Sequence, residues 1–73
     1  MKTMSKRMET YKVIAPNGLN IRDDIGGEIL GVLKTNTKVT YSGGFKEHNG
    51  ITWILVKHRD LEGYVQERYL KKV

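Results

Sequence analysis

The side chains that could carry acid–base or nucleophilic chemistry in this chain are few and scattered. The two histidines are His48 and His58, and grouping His58 with Asp60 and Ser42 would supply the residue types of a hydrolytic triad. However, no nucleophile elbow or oxyanion glycine pattern surrounds Ser42. Two histidines on separate loops also make a poor metal site, and the eight carboxylates show no pair set apart for general acid–base work. We therefore predict a protein that is not an enzyme and needs no cofactor.

Recognition chemistry is better represented, because the chain has six aromatic side chains: Tyr11, Tyr41, Phe45, Trp53, Tyr64 and Tyr69. Tryptophan and tyrosine offer a large, rigid contact surface with a polar tip, which suits extended peptides or sugars. A small core also needs aromatic side chains, and we assign Tyr41 to that role. The other candidates depend on which strand faces they occupy.

Two polar candidates, Asn20 and Arg22, lie on the stretch 19–22 (LNIR), which alternates apolar and polar residues between two turn signals. This period of two predicts a short, half-buried strand, with Asn20 and Arg22 on its outer face. A guanidinium can donate two parallel hydrogen bonds to one carboxylate, so Asn20 and Arg22 could bind the amides and the carboxylate of a peptide. The alternative is structural: Arg22 pairs with a nearby carboxylate (Asp23, Asp24 or Glu67), and Asn20 ties a loop.

Further strands are predicted at 11–14, 29–33, 38–41, 51–57, 63–65 and 70–73, with a bulge or bend at 42–44 and a hairpin turn at Asn49-Gly50. Residues 34–37 are predicted to form a turn, and Asn36 is a residue type that tolerates a left-handed conformation there. In the strand 51–57, residues Ile54 and Val56 alternate with Trp53, so the indole faces outward if those two fill the core. The predicted core is Leu19, Ile21, Leu33, Val39, Ile54, Val56 and Val65.

Length and charge limit the remaining possibilities. Seventy-three residues allow one domain, and with no cysteine it has neither a disulfide nor a thiolate metal site. The net charge is +5, but the body from 11 to 70 holds eight basic and seven acidic residues, which disfavours nucleic-acid binding. Residues 1–10 are predicted to be a disordered basic tail without the apolar core of a signal peptide, and residues 11–73 the folded domain. No apolar run is long enough to span a membrane.

Six segments of the chain resemble, in their order and spacing, the bacterial SH3 domain family. They are LNIR at 19–22, ILGVL at 29–33, TNTKV at 35–39, the strand that begins with Trp53, GYV at 63–65 and YL at 69–70. The resemblance covers about residues 11 to 72, and it departs from the family in the loop 23–28, where Asp23-Asp24 replaces the usual Ser-Gly-Pro. It implies a small all-β, SH3-like barrel of five to six antiparallel strands with one 3₁₀ turn at 66–69.

The resemblance also implies a ligand groove lined by Trp53 and by Tyr69 of the 3₁₀ turn. We favour a binding role for both over packing alone. Asn20, Arg22 and the loop residues Asp23 and Asp24 are expected at the edge of this groove, with Tyr64 nearby. These are the predicted ligand-binding residues.

The family resemblance implies a non-catalytic module that binds peptidoglycan, through its stem peptides or cross-bridges, alongside a cell-wall hydrolase or phage endolysin. Such a module acts at the cell wall and is carried there by another domain or by lysis. The alternatives are a cytoplasmic protein–protein adaptor for extended peptides, which SH3 barrels commonly bind, and a nucleic-acid binder, which the near-neutral body disfavours.

Overall fold

The computed structural model describes residues 9–73, and this part of the chain is nearly all β-structure. Its elements are β1 (Thr10–Val13), β2 (Leu19–Arg22), β3 (Ile29–Leu33), β4 (Lys38–His48), β5 (Ile51–His58), β6 (Leu61–Gln66), a 3₁₀ turn (Glu67–Tyr69) and β7 (Leu70–Lys72). The all-β prediction with a single 3₁₀ turn is confirmed. The strands number seven, one for each predicted segment, whereas the resemblance implied five or six. The short β1 and β7 pair with each other.

The predicted tail falls mostly outside the described residues, which exclude 1–8. Glu9 and Thr10, expected within that tail, are part of the fold. Thr10 begins β1, and the carbonyl of Glu9 accepts a 2.8 Å hydrogen bond from the backbone N–H of Tyr41. The folded domain therefore extends at least to residue 9.

The strands form one sheet in the order β3-β2-β6-β5-β4-β1-β7, and every neighbouring pair is antiparallel. The sheet curls into a half-barrel around the core. Its two edges differ: β7 carries the exposed Lys71 and Lys72, whereas β3 is interrupted by a bulge opposite the Ile21–Arg22 step of β2. Edge lysines and edge bulges both discourage pairing with another sheet.

The turns follow the sequence signals. Asn49 and Gly50 join β4 to β5 with φ values of 53° and 78°, as a type I′ hairpin turn requires. Asn36 adopts a left-handed conformation, with φ of 73°. The predicted irregularity at 42–44 is a register shift in β4 between Tyr41 and Phe45. The turn between β5 and β6 uses only Arg59 and Asp60, because β6 begins at Leu61, two residues before the predicted strand 63–65.

The core lies on the concave side of the curled sheet. All seven predicted core residues are buried, and Val13 and Ala15 join them. Tyr41 packs against this core and makes an edge-to-face contact with Tyr11, with ring centroids 6.4 Å apart. This arrangement agrees with the structural role predicted for Tyr41. Within residues 9–73 there is no helix of the length and apolarity that crossing a membrane requires.

The first prediction concerns the inward face of β5. Val56 is completely buried, so Val56→Ala removes two methyl groups from a small core and should lower the free energy of unfolding by about 2 kcal/mol or more. The urea midpoint would measure this loss. Lys57→Ala, at the exposed neighbouring position, should change stability by no more than ~0.5 kcal/mol. An unchanged midpoint for Val56→Ala would contradict the assignment of this face.

Candidate functional site

Four of the predicted site residues lie on three adjacent strands: Asn20 and Arg22 on β2, Tyr64 on β6 and Trp53 on β5. Tyr69 belongs to the 3₁₀ turn, and Asp23 and Asp24 to the loop 23–28. Arg22 pairs with Tyr64 across β2 and β6, and Trp53 pairs with Gln66 across β6 and β5. Directly paired residues project to the same face of a sheet, and alternate residues along a strand share that face. Because Ile54 and Val65 point into the core, Trp53, Gln66, Tyr64 and Arg22 occupy the outer face.

A groove of about 470 Å³ crosses one end of this outer face. It brings together four of the predicted residues: Asn20, Arg22, Trp53 and Tyr69. The other lining residues are Ala15, Pro16, Asn17, Gly18, Leu19 and Gln66, which form the opposite wall and floor. We call this surface the aromatic groove. Its mixture of two aromatic rings with amide and guanidinium groups can contact both the side chains and the backbone of an extended peptide.

Tyr69 reaches the groove because the 3₁₀ turn is held against the sheet. Its carbonyl accepts a 2.9 Å hydrogen bond from the backbone N–H of Ile14, and its ring packs partly against the core. The guanidinium carbon of Arg68 lies 5.6 Å from the centre of that ring, a cation–π distance. Tyr69 therefore combines a packing role with a position in the groove wall.

The loop 23–28 is organised by its own aspartates. Asp23 Oδ1 accepts a 2.9 Å hydrogen bond from the N–H of Glu28, and Asp24 Oδ1 accepts one of 2.8 Å from the N–H of Ile25. Arg22 Nη1 donates to the carbonyl of Gly27 at 2.9 Å. A Cβ at Gly27 would displace the Asp23 carboxylate from its bond to Glu28, so a larger residue here would disturb the loop. These bonds fix the loop, and they fix the guanidinium beside it.

A second depression, of about 560 Å³, lies between this loop and the β4–β5 hairpin. We call it the loop pocket, and its lining residues are Arg22, Asp24, Ile25, Gly26, Lys46, His48 and Trp53. Arg22 and Trp53 therefore belong to both depressions. The two depressions meet at these side chains.

One ion pair joins the two sides of the loop pocket. Lys46 Nζ lies 2.8 Å from Asp24 Oδ1, and it also lies 5.0 Å from the centre of the Tyr64 ring. The hydrogen bond from Lys46, helped by the N–H of Ile25, lowers the pKa of the Asp24 carboxyl below its ordinary 3.8. The same bond raises the pKa of Lys46 above 10.5. The pair therefore stays charged across the neutral range, and it is lost only as the pH falls through the depressed Asp24 pKa or rises through the raised Lys46 pKa.

Trp53 carries an unused hydrogen-bond donor. Its indole Nε1 is buried and has no acceptor within hydrogen-bond distance among residues 9–73. A buried donor without a partner costs free energy. The Nε1 atom has almost no accessible surface, so it offers no hydrogen bond to a ligand in either depression, and Trp53 contributes aromatic surface there.

The structure does not bring all of the predicted residues into the groove. Asp24 lines the loop pocket instead, and Asp23 lies outside both depressions because its carboxylate is used within the loop. Tyr64 shares the outer face and supports Lys46, but it lines neither depression. The alternative role for Arg22 is not observed: within residues 9–73 it makes no ion pair with Asp23, Asp24 or Glu67.

The lining residues that were not predicted include Lys46, His48 and Gln66. Gln66 could have been predicted from the alternation of side chains along a strand, since it lies two residues after Tyr64 and therefore on the same face. Lys46 and His48 depend on the length of β4, which continues past its bulge to residue 48. No local sequence signal brings that end of β4 to the loop 23–28.

Neither histidine makes a hydrogen bond or an ion pair with another side chain in the described part of the chain. His58 Nδ1 lies 3.3 Å from the carbonyl of Lys38, at the far end of β5 from Trp53. His48 is exposed beside the loop pocket. Residues 9–73 contain no cluster of three or more His, Cys, Asp or Glu side chains that could hold a metal ion.

Comparisons with family models, curated proteins and solved structures find no match to this chain. Its function is therefore inferred from its own residues and from their arrangement.

The contact between β2 and β6 generates a second prediction. A Cβ on the buried Gly63 would meet Ile21 Cγ1 at 2.9 Å and would collide with the carbonyl oxygen of Arg22. Gly63→Ala should therefore push β2 away from β6, lower the free energy of unfolding by about 1–3 kcal/mol and shift the amide resonances of Asn20 and Arg22.

Gly44→Ala is the matched control, because its new Cβ would make an ordinary 3.4 Å contact with Leu55. Chemical denaturation and amide spectra of both variants would measure the difference. Equal stability of the Gly63→Ala variant and the wild type would show that the close approach of β2 and β6 is not required.

Proposed function

We propose that this chain is a non-catalytic binding module that recognises extended peptides of bacterial peptidoglycan through the aromatic groove. The observation that carries the proposal is the convergence of Trp53, Tyr69, Asn20 and Arg22 on that groove from three separate elements: β5, the 3₁₀ turn and β2. The resemblance of the strand motifs to bacterial SH3 domains supports the choice of cell-wall peptides as the ligand class. The module would act at the cell wall, next to a hydrolase.

The groove has the composition expected for peptide recognition. Its two aromatic side chains are only partly buried, so they keep exposed surface that a ligand can cover. Asn20 is exposed on β2, and its amide makes no hydrogen bond within the described residues. An asparagine amide can both donate to and accept from a peptide backbone. The aromatic groove therefore combines exposed aromatic surface with a polar side chain that is available to a peptide backbone.

Attachment to a hydrolase explains why such a small domain would be useful. A module that holds an enzyme on its polymeric substrate raises the effective concentration of that enzyme without adding a catalytic group. A protein–protein adaptor would bind its peptide in the same groove, so the two functions differ in the ligand and not in the site. Binding to purified cell walls distinguishes them. Binding to purified sacculi, with DNA-cellulose as a comparison, separates these functions.

The third prediction is that Trp53→Ala weakens binding to purified sacculi about 30-fold, or ~2 kcal/mol, the scale of an aromatic hot spot. Co-sedimentation with sacculi over a range of protein concentrations would give the dissociation constant. Asn20→Ala should also weaken binding, and its exposed position makes a loss of folding a poor explanation.

Phe45→Ala is the matched aromatic control. Phe45 is 64% exposed on β4 and lines neither depression, so its removal should leave sacculus binding unchanged. Equal losses for Trp53→Ala and Phe45→Ala would mean that the groove is not the site. Retention on DNA-cellulose without binding to sacculi would replace the proposed function with nucleic-acid binding.

A fourth prediction tests the absence of catalysis. The purified protein should not reduce the turbidity of a peptidoglycan suspension, because a non-catalytic module binds the polymer without cleaving it. If the suspension cleared, His48→Gln and His58→Gln would identify the group responsible. If either variant abolished the clearing, the chain would be an enzyme.

A further inference from the structure

We propose that the loop pocket is a second subsite and that it binds a carboxylate of the same extended peptide. This inference rests on the proposed function, because the peptide is the one that lies in the aromatic groove. It adds a chemical requirement: the ligand must carry a free carboxylate next to the segment that contacts Trp53 and Tyr69.

The first support is the continuity of the surface. Arg22 and Trp53 line both depressions, so a chain that leaves the aromatic groove past these side chains enters the loop pocket. Gly26 lies at the lip of the pocket, with no heavy atom within 4 Å of the position of a Cβ. A single extended ligand can therefore occupy both depressions.

The second support is the balance of charge in the pocket. Lys46 and Asp24 neutralise each other at 2.8 Å, and Arg22 makes no ion pair with another described residue. With His48 neutral, the lining side chains carry one uncompensated positive charge, that of Arg22. One carboxylate would match it.

The third support is the geometry of the donors. Arg22 uses Nη1 to hold the Gly27 carbonyl, and this contact orients the guanidinium while its other N–H groups remain for a ligand. A guanidinium held in this way selects an oxygen acceptor, and hydrogen bonds between charged groups are the stronger ones. The wall between the depressions therefore fits a carboxylate better than an amine.

The test compares two forms of one polymer: native sacculi, and sacculi whose carboxylates have been converted to amides with carbodiimide and ammonia. At about 0.15 M salt, where charges further apart than ~8 Å are largely screened, the wild type should bind the amidated sacculi about tenfold more weakly. The measured quantity is the ratio of the two dissociation constants.

Two substitutions in the pocket should move this ratio in opposite directions. Lys46→Gln leaves Asp24 unpaired and removes the net positive charge, so the ratio should fall toward one. Asp24→Asn adds a net positive charge, so the ratio should rise by roughly threefold or more. Lys71→Gln on β7 and Asp60→Asn in the β5–β6 turn make the same changes in total charge at exposed positions outside the pocket, and both should keep the wild-type ratio.

A spectroscopic measurement gives an independent result, because the chain has one tryptophan and hence one indole N–H signal. Stem peptides released from native sacculi should shift that signal, and their amidated forms should shift it less. The expected result is this difference together with the opposite responses of the two pocket variants.

Three outcomes would overturn the inference. Equal binding of native and amidated sacculi would exclude the carboxylate subsite and leave the proposed function intact. A ratio that fell equally for Lys46→Gln and Lys71→Gln would assign the effect to overall charge. Failure to bind either form of sacculus would overturn the proposed function, and the subsite with it.

Discussion

The close approach of β2 to β6 is the constraint on which the rest of the structure depends. A single registered pair, Arg22 with Tyr64, joins these strands, and it connects the β2–β3 hairpin to the remainder of the sheet. The approach is possible because Gly63 has no side chain to separate the strands. It seats Ile21 in the core, and it places Asn20 and Arg22 on the same outer face as Trp53. The core and the candidate site are thus two consequences of one contact.

The outer face is more ordered than its exposed position suggests. In the loop 23–28, Asp23, Asp24 and the guanidinium of Arg22 make hydrogen bonds to backbone groups of the loop. Lys46 of β4 donates a hydrogen bond to Asp24 and so links the loop to β4. An exposed ion pair of this kind contributes little to stability. Its consequence is geometric, because it sets the width of the loop pocket and leaves the charge of Arg22 uncompensated. A site whose donors are held in place before binding loses less conformational freedom when a ligand arrives.

The proposed ligand follows from this arrangement. In the proposed site, two aromatic side chains would supply contact area, the exposed amide of Asn20 would bind a peptide backbone, and the guanidinium of Arg22 would select for a negative charge. Peptidoglycan stem peptides combine an extended backbone with free carboxylates, so they present the complementary groups. A soluble adaptor target would need the same combination.

The sequence by itself determined the all-β class, the seven predicted core residues and the turns at Asn36 and Asn49-Gly50. These depend on local alternation and on backbone conformations that few residue types adopt. It also placed Trp53 on the outer face, because strand phase is fixed by two buried neighbours. Only the tertiary structure decided that Asp24 meets Lys46, that Tyr64 lies beneath that lysine, and that Arg22 and Trp53 join two depressions. Those contacts link residues about twenty to thirty positions apart, and their geometry is set by sheet order and by a bulge in β4, which no local pattern encodes.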